Sequence, residues 1–395
     1  MTNAKQKIPS VWLLGIACGL SPFGMAIVVP ALASIADHFS ADLLSVQFVI
    51  SVYLIGLALS QPACGFLCDR YGRRPVMLTG FVVFIVASAL CALAPSLEIL
   101  ILARFFQATG VSVGTVASRA ILRDTRSGDQ IAVGMSLIAA ITGVAPVIAP
   151  IIGGLLDSTL GFRWIFGGTT VMGLAVFCGM MLRISETLNR EQKTPGWRDG
   201  LRSYARLLRS PGFMGNTMVF GFVKGSFFAF LAIGAPYLAS QYAINSSTFG
   251  TLWGTMAIAY VVGASIGARL TRIFGAQRVI GYGVCIGLVV GMAFPLASAT
   301  SEPTLLQLLV PMGVLMVISG FVTPAAMAGA IAPHPDIAGR ASGLSSALGL
   351  LTAGLFTVLA GAVFSGEFFP VALIMFGACV ATGLSCLLAR RSDNA

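Results

Sequence analysis

The feature that most constrains this chain is a series of twelve apolar runs, each long enough to cross a bilayer, along its 395 residues. A helix rises about 1.5 Å per residue, so about 20 apolar residues span the roughly 30 Å of hydrocarbon. The chain is 57% apolar and only 10% charged, whereas a soluble domain carries about 25% charged residues. We therefore predict an all-α integral membrane protein. Its transmembrane helices are predicted at residues 11–34, 46–67, 76–94, 97–121, 131–156, 164–182, 213–239, 248–270, 279–299, 304–331, 338–364 and 368–389.

The longest gap between these runs lies at residues 183–212 and divides the predicted helices into six and six. It predicts two six-helix bundles, residues 1–184 and 212–395, joined by a linker at residues 185–211. The linker contains a helical pattern with apolar residues on one side and arginines on the other: Leu201, Tyr204, Leu207 and Leu208 against Arg198, Arg202, Arg206 and Arg209. This pattern is typical of a helix that lies on a membrane surface. Docking of a partner protein is the alternative role.

The basic residues indicate the orientation of the chain. With a cytoplasmic N-terminus, all of the 24 Lys and Arg except Arg104, Arg163 and Lys224 fall in cytoplasmic loops, tails or helix ends, as the positive-inside rule requires. We therefore predict a multi-pass protein of a bacterial inner membrane with both termini in the cytoplasm. The formal charge of +10 follows from this asymmetry and from anionic lipid, so we expect no nucleic-acid partner.

Several other classes of function find little support in the sequence. The eight cysteines lie in or near the spans, and Cys64 and Cys68 lack the neighbouring ligands of a zinc site, so we expect no metal and no cofactor. There is no G-x-x-x-x-G-K-[ST] loop for ATP. Neither His38 nor His334 lies mid-span with an acid partner, so we do not expect an enzyme. A channel would show a repeated filter or a ring of charge.

A short charged turn, GFLCDRYGRR at residues 65–74, separates the second and third spans. It resembles the signature loop G-x-L-a-D-r-x-G-r-r of the major facilitator superfamily at every principal position. A weaker echo, ARLTRIFGAQR, follows the eighth span, which indicates that the two halves are a diverged repeat. The resemblance implies a secondary transporter with the two-bundle major facilitator fold that works as a monomer.

Two further motifs narrow the resemblance. RFFQATG at residues 104–110 is similar to the R-x-x-Q-G region of span four, with Ala108 where glycine is usual. GVAPVIAPIIGG at residues 143–154 resembles the antiporter motif of the superfamily's exporters, with Ala149 where glycine is frequent. Together with RAILRD at residues 119–124, these motifs resemble the Bcr/CflA branch of drug-resistance exporters. This branch implies drug efflux coupled to protons.

The resemblance implies a gate at the charged turn. Asp69 is expected to cap the N-terminus of span eleven, near residues 339–342, in the outward-facing state, a contact with the helix dipole. Arg73 is expected to pair with Asp124, with Arg70 and Arg119 as additional partners. The alternative, that these groups are positive-inside anchors, accounts for the arginines but not for Asp69.

A second gate is implied in span five. Gly143, Pro146, Pro150 and Gly154 thin one helix face, and the prolines remove backbone donors. Close helix packing with a bend is the physical result. By resemblance this face seals the periplasmic side of the cavity and marks an exporter, although ordinary packing of small residues would produce the same pattern.

The acidic residues are missing where relatives in this branch commonly carry one. All 14 acidic residues fall in loops or near helix ends, and Ala26 stands four residues before the proline of Pro30-Ala31-Leu32, where relatives have an acid. Inside the membrane stand two cations, Arg104 and Lys224, and charges at this depth mark functional sites. If both face one water-filled cavity, they favour anionic or electronegative substrates. Pairing with backbone carbonyls is the structural alternative.

The sequence therefore predicts a secondary active exporter of small organic, anionic or electronegative compounds. Lys224 is a candidate for proton coupling, because a nearby cation would weaken its hold on a proton, and Asp37 at the outer end of span one is the other candidate. A uniporter, or a dedicated exporter of an anionic metabolite such as a carboxylate siderophore, remains an alternative. The further candidates for substrate contact are Gln107, Tyr53, Met25, Phe227, Phe228 and Trp253.

Overall fold

The computed structural model describes residues 9–126, 129–188, 197–299, 303–334 and 337–393, and this part of the chain is helical without a strand. The helices are α1 Val11–Ala26, α2 Leu32–Phe39, α3 Leu43–Tyr71, α4 Arg73–Ala92, α5 Leu97–Thr125, α6 Asp129–Leu160, α7 Arg163–Arg183, α8 Trp197–Leu208, α9 Pro211–Tyr242, α10 Ser246–Phe274, α11 Ala276–Ser298, α12 Leu305–Ile331, α13 Ala338–Val363 and α14 Phe369–Asp393. Within the described residues, twelve helical segments are long and apolar enough to cross a membrane. The prediction of an all-α, twelve-span membrane protein is confirmed.

The first span is made of two helices. A 3-10 turn, Val29–Ala31, separates α1 from α2, and the three segments together form one span, Val11–Phe39. Pro30 lies inside this turn and has no backbone N–H to donate, so the α-helical hydrogen bonding is interrupted there.

Because successive spans run in opposite directions, α8 lies at the same end of the molecule as the start of α1 and the end of α14. We call this the linker end and the opposite end the distal end. At the linker end, Gly72 ends α3 and Gly275 ends α10, with φ of +107° and +81°. Glycine adopts such a φ without steric cost. These are the two glycines that the sequence echo pairs, so the halves share the same sharp turn after their second span.

The two bundles meet along two pairs of helices. α3 packs against α13, and α6 packs against α10. At the second contact Gly250 lies on the carbonyl of Pro150, and Gly154 lies on the carbonyl of Ser246, so closely that a Cβ on either glycine would clash. All four residues belong to the distal halves of their helices. The backbones of α6 and α10 therefore close the distal end.

The contact between α3 and α13 also includes a close approach near the distal end. Gly361 of α13 leaves room for the amide of Gln47 in α3, which a Cβ would meet directly. Gln47 is buried, and neither its Nε2 nor its Oε1 has a hydrogen-bond partner among the described residues. The α3–α13 contact therefore contains a buried amide that has no hydrogen-bond partner in the described part of the chain.

The linker helix α8 differs from its prediction. Leu207 is fully buried in an apolar cluster with Phe213, Ala330 and Ala341, and Tyr204 packs against this cluster. The apolar face therefore covers the linker ends of α9, α12 and α13 rather than a lipid surface, because those helix ends present apolar side chains that need cover. Leu208 is the exception, with 48% of its surface exposed. The side chains of Arg198 and Leu201 lie outside the described residues.

Candidate functional site

Lys224 lies near the middle of α9 on a face with Phe220, Phe227 and Phe228, which are spaced three to four residues apart along the helix. Its Nζ lies 4.5 Å from the centroid of the Phe220 ring, within the range of a cation–π interaction. The side chain is only half-buried. Among the described residues, no carboxylate lies within 4.0 Å of the ammonium. Lys224 is thus a mid-membrane cation held against an aromatic ring without a counter-charge from the described part of the chain.

An aromatic stack stands beside Lys224. The indole of Trp253 in α10 stacks on Phe227 at 5.1 Å, on Phe249 at 5.8 Å and on Phe230 at 6.0 Å between ring centroids. Phe228 meets Phe227 edge to face at 5.0 Å. Trp253 and Phe228 are each only 4% exposed, whereas Phe227 is half-buried. Phe227 therefore presents the accessible ring face, and the predicted contacts Trp253 and Phe228 support it from behind.

Arg104 in α5 has a different environment from Lys224. Its side chain is 0% exposed. Nε donates to the carbonyl of Val49 at 3.1 Å, and Nη1 donates to the carbonyl of Gly24 at 2.9 Å and to Oε1 of Gln107 at 2.6 Å. The guanidinium also lies 4.0 Å from the Tyr53 ring centroid. Nη2 has no partner among the described residues.

These contacts correct the expectation of one pocket shared by two cations. The partners of Arg104 belong to α1, α3 and α5 of the N-terminal bundle, whereas Lys224 belongs to α9 of the other bundle. A guanidinium in a dry interior needs acceptors for its donors, and exposed carbonyls of packed helices supply them. Arg104 therefore follows the structural alternative, pairing with backbone carbonyls.

Three other predicted contact residues share this environment or border it. Gln107 is fully buried and donates through Nε2 to Ser88 Oγ at 2.8 Å. Tyr53 is fully buried and donates to the carbonyl of Ser21 at 2.9 Å. Both therefore hold the N-terminal bundle together. Met25 is half-buried and packs against both large apolar clusters, so it stands where these clusters meet.

The linker-end turn between α3 and α4 contains the predicted ion pair. Arg73 Nε lies 3.1 Å from Asp124 Oδ2, and Arg73 Nη1 lies 2.8 Å from Asp69 Oδ1. Asp69 is 55% exposed. Its predicted cap on the N-terminus of α13 belongs to a state that is closed at the linker end, whereas this structure is closed at the distal end. Arg70 lies over the rings of Phe66 and Tyr71. Arg119 is exposed.

Glu186, which follows α7, is a residue of this turn that was not predicted from the sequence. Its Oε1 accepts the backbone N–H groups of Arg73, Thr187 and Leu188, each at 2.9 Å, and its Oε2 accepts that of Arg74 at 3.2 Å. Partial burial raises the pKa of this carboxyl, but the four backbone donors outweigh burial and hold the pKa below its usual value. Glu186 thereby caps the N-terminus of α4. The sequence signal that could have indicated this role is an acidic residue shortly after the end of a span, which here is Arg183.

The residues predicted to form a gate in span five, which is α6, fall into two groups. Pro150 and Gly154 are buried at the contact with α10, whereas Gly143 and Pro146 are half-buried, and a Cβ on Gly143 would meet nothing within 4 Å. Asp37, the second candidate for proton coupling, is exposed on α2 at the distal end. Pro150 and Gly154 therefore pack closely against α10, whereas Gly143 does not.

Comparisons with known proteins agree with this geometry. The Major Facilitator Superfamily matches residues 14–357. The chain is 30% identical over 387 residues to the uncharacterized MFS-type transporter YdgK of Bacillus subtilis (strain 168), covering 97% of this chain and 96% of that protein. It is 29% identical over 357 residues to multidrug resistance protein D of Escherichia coli (strain K12), covering 90% and 89%. It is 24% identical over 381 residues to the bicyclomycin resistance protein homolog of Haemophilus influenzae (strain ATCC 51907 / DSM 11121 / KW20 / Rd), covering 96% and 95%.

The fold also matches solved structures. A bacterial homolog of the human lysosomal transporter Spinster superposes with a TM-score of 0.75 at 16% identity, covering 97% of this chain and 96% of that chain. Proteins of the matched family are transporters, so the expectation that the chain is not an enzyme is confirmed. The signature turn, the paired bundles and the match over most of the chain lead to one conclusion: this protein belongs to the Major Facilitator Superfamily.

Proposed function

We propose that the chain is a secondary active exporter of small organic, anionic or electronegative compounds, working by alternating access as a monomer in a bacterial inner membrane. The observation that carries the proposal is Lys224, a half-buried cation at mid-membrane with no carboxylate within 4.0 Å among the described residues. A charge at that depth costs roughly 2.5–3.5 kcal/mol or more. Water or an anionic substrate would offset that cost.

The aromatic neighbours of Lys224 define the other half of the substrate. Phe227 offers a ring face, and the stack of Trp253 on Phe227 fixes its position. Aromatic faces favour flat, apolar groups. A compound with an aromatic or otherwise flat apolar body and a carboxylate, phosphate or similar group fits both features. Met25, at the meeting of the apolar clusters, is a further apolar contact.

Alternating access follows from the two-bundle geometry. The contacts between α6 and α10 close the distal end, and rocking of one bundle against the other would open it. If the linker end faces the cytoplasm, as the basic residues indicate, this closed distal end faces the periplasm and the site loads from the cytoplasm. The names of relatives, a multidrug resistance protein and a bicyclomycin resistance homolog, also support efflux.

We assign proton coupling to Lys224, because the other candidate, Asp37, is exposed on α2, away from the middle of α9. An anionic substrate also offers a second driving force. A bacterial interior is electrically negative, and each charge moved is worth about 2.3 kcal/mol per 100 mV. Uniport of an anion, driven by this potential, is therefore the alternative, and the same transport assay distinguishes the two.

The test is uptake into proteoliposomes of radiolabelled aromatic carboxylates, neutral aromatic amides and aromatic amines. Lys224→Met, which removes the ammonium and keeps an unbranched side chain, should lower carboxylate transport by at least about tenfold and change amide transport less, since a lost charged contact is worth about 1.5–3 kcal/mol. Arg183→Gln, at an exposed position at the linker end of α7, is the matched control. Unchanged carboxylate transport in Lys224→Met would exclude the proposed site. Flux that follows an imposed potential but ignores a pH gradient would identify a uniporter.

A further inference from the structure

A second charged site lies at the linker end, away from Lys224. A cleft of about 510 Å³ opens between α8, the start of α9 and the residues after α12, and it is lined by Arg202, Ala205, Arg206, Arg209, Ser210 and His334. Three of these six residues are arginines and none is acidic. A concave surface with this charge attracts anions. Arginine in particular binds phosphate through paired donors.

The arginines are presented by a fixed helix. Leu207 is fully buried against Phe213 and Ala330, so α8 cannot leave the bundle without exposing apolar surface. Arg340 in the first turn of α13 donates from Nη1 to Ser203 Oγ at 2.6 Å and ties α8 to a second helix. The helix backbone that carries the three arginines therefore stays in place when no ligand is bound, which lowers the entropy cost of binding one.

The cleft lies at the level of the membrane surface. Arg209 and Ser210 directly precede Pro211, the first residue of spanning α9, and His334 follows α12, which ends at Ile331. Leu208, next to Arg209, has 48% of its surface exposed although the neighbouring Leu207 has none. A positive cleft bordered by an exposed apolar side chain suits an amphiphile whose charged group is a phosphate.

We propose that this cleft binds an anionic phosphate group, and that the group belongs to a phospholipid headgroup. The phosphate would contact the arginines of α8, and the lipid's apolar part would lie against Leu208. By bridging α8 and the residue after α12, the lipid would strengthen the attachment of the linker to the C-terminal bundle. A soluble phosphate has the same charge but no apolar part, so it would not benefit from Leu208.

The test titrates the purified full-length protein with phosphatidylglycerol, phosphatidylcholine or inorganic phosphate, counting retained lipid by native mass spectrometry and following the thermal unfolding midpoint. The triple variant Arg202→Gln, Arg206→Gln, Arg209→Gln should bind phosphatidylglycerol at least about tenfold more weakly than the wild type, because it removes the three guanidinium groups that would contact the phosphate. The control triple Arg269→Gln, Arg272→Gln, Arg278→Gln removes three exposed arginines elsewhere at the linker end and should bind as the wild type does.

Three results would overturn the proposal. Equal binding of phosphatidylglycerol by the wild type and the cleft variant would show that the arginines do not hold the headgroup. Equal retention of phosphatidylcholine by the wild type would remove the requirement for net negative charge. Stabilisation by inorganic phosphate, with displacement of the lipid, would assign the cleft to a soluble ligand. Arg209→Gln alone, at an exposed position, provides the same comparison with less risk to folding, and the expected result is a partial loss of phosphatidylglycerol binding.

Discussion

Arg104 and Lys224 are both cations at membrane depth, but they are stabilised differently. Arg104 donates to two backbone carbonyls and to Gln107, and it is fully enclosed. Lys224 has a ring on one side and is half-buried. A guanidinium has five donors in a rigid fork that suits fixed carbonyls, whereas an ammonium is a compact point charge that is readily hydrated. The residue types therefore match the structural role of Arg104 and the ligand-binding role that we propose for Lys224.

Glu186 gives a prediction about pH. Because its pKa in the folded protein lies below the ordinary value of 4.5, its contribution to the free energy of unfolding is complete above that value and is lost as pH falls through the lowered pKa. Glu186→Gln keeps an acceptor oxygen but removes the charge at the start of α4. The variant should have a lower thermal unfolding midpoint than the wild type at pH 7, and the two midpoints should converge in acid.

The measurement is the unfolding midpoint in detergent between pH 3 and pH 8, roughly the range in which carboxyls titrate and then stay charged. Glu367→Gln is a suitable control, because this acid is exposed in the distal loop between α13 and α14, away from the α3–α4 turn. A wild type and Glu186→Gln variant that differ equally at every pH would show that the carboxylate charge is not what stabilises the turn.

At the level of the helices, the α6–α10 contact shows how small residues of one motif can close the distal end. Gly250 and Gly154 allow backbone-to-backbone contact with the facing helix, and Pro150 supplies one of the contacted carbonyls. Small residues at such positions let helices approach closely in membranes. Gly143 itself takes no part, because a Cβ there would meet nothing within 4 Å.

This difference gives a matched pair of substitutions. Gly250→Ala should disfavour the closed distal end by about 1–3 kcal/mol, the usual cost of overpacking, whereas Gly143→Ala adds the same methyl group without a clash. Spin labels at the exposed residues Ser158 and Thr248 would report the distance between α6 and α10. A longer distance is expected in the Gly250 variant only. If both variants give the wild-type distance distribution, the glycine contact is not what closes this end.

At the scale of the whole molecule, the parts that follow from hydrophobic length could be predicted, and the parts that follow from three-dimensional packing could not. Span number, the two-bundle fold and the pairing of Arg73 with Asp124 were available from run lengths and motifs. The surroundings of Arg104 were not, because no pattern within α5 reveals which carbonyls of α1 and α3 it meets. The α8 prediction had the correct periodicity, but periodicity does not distinguish lipid from a neighbouring bundle as the partner of an apolar face.

The amide of Gln47 bears on how such a molecule can work repeatedly. A leucine of similar size would make the α3–α13 contact uniformly apolar, and the closed distal end would then be harder to open. A buried amide without hydrogen bonds costs about 1–3 kcal/mol, and that energy is recovered when water reaches the side chain. The buried amide therefore favours reopening of the distal end. Gln47→Leu should stabilise the closed distal end and slow turnover. Faster turnover in that variant would contradict this role for Gln47.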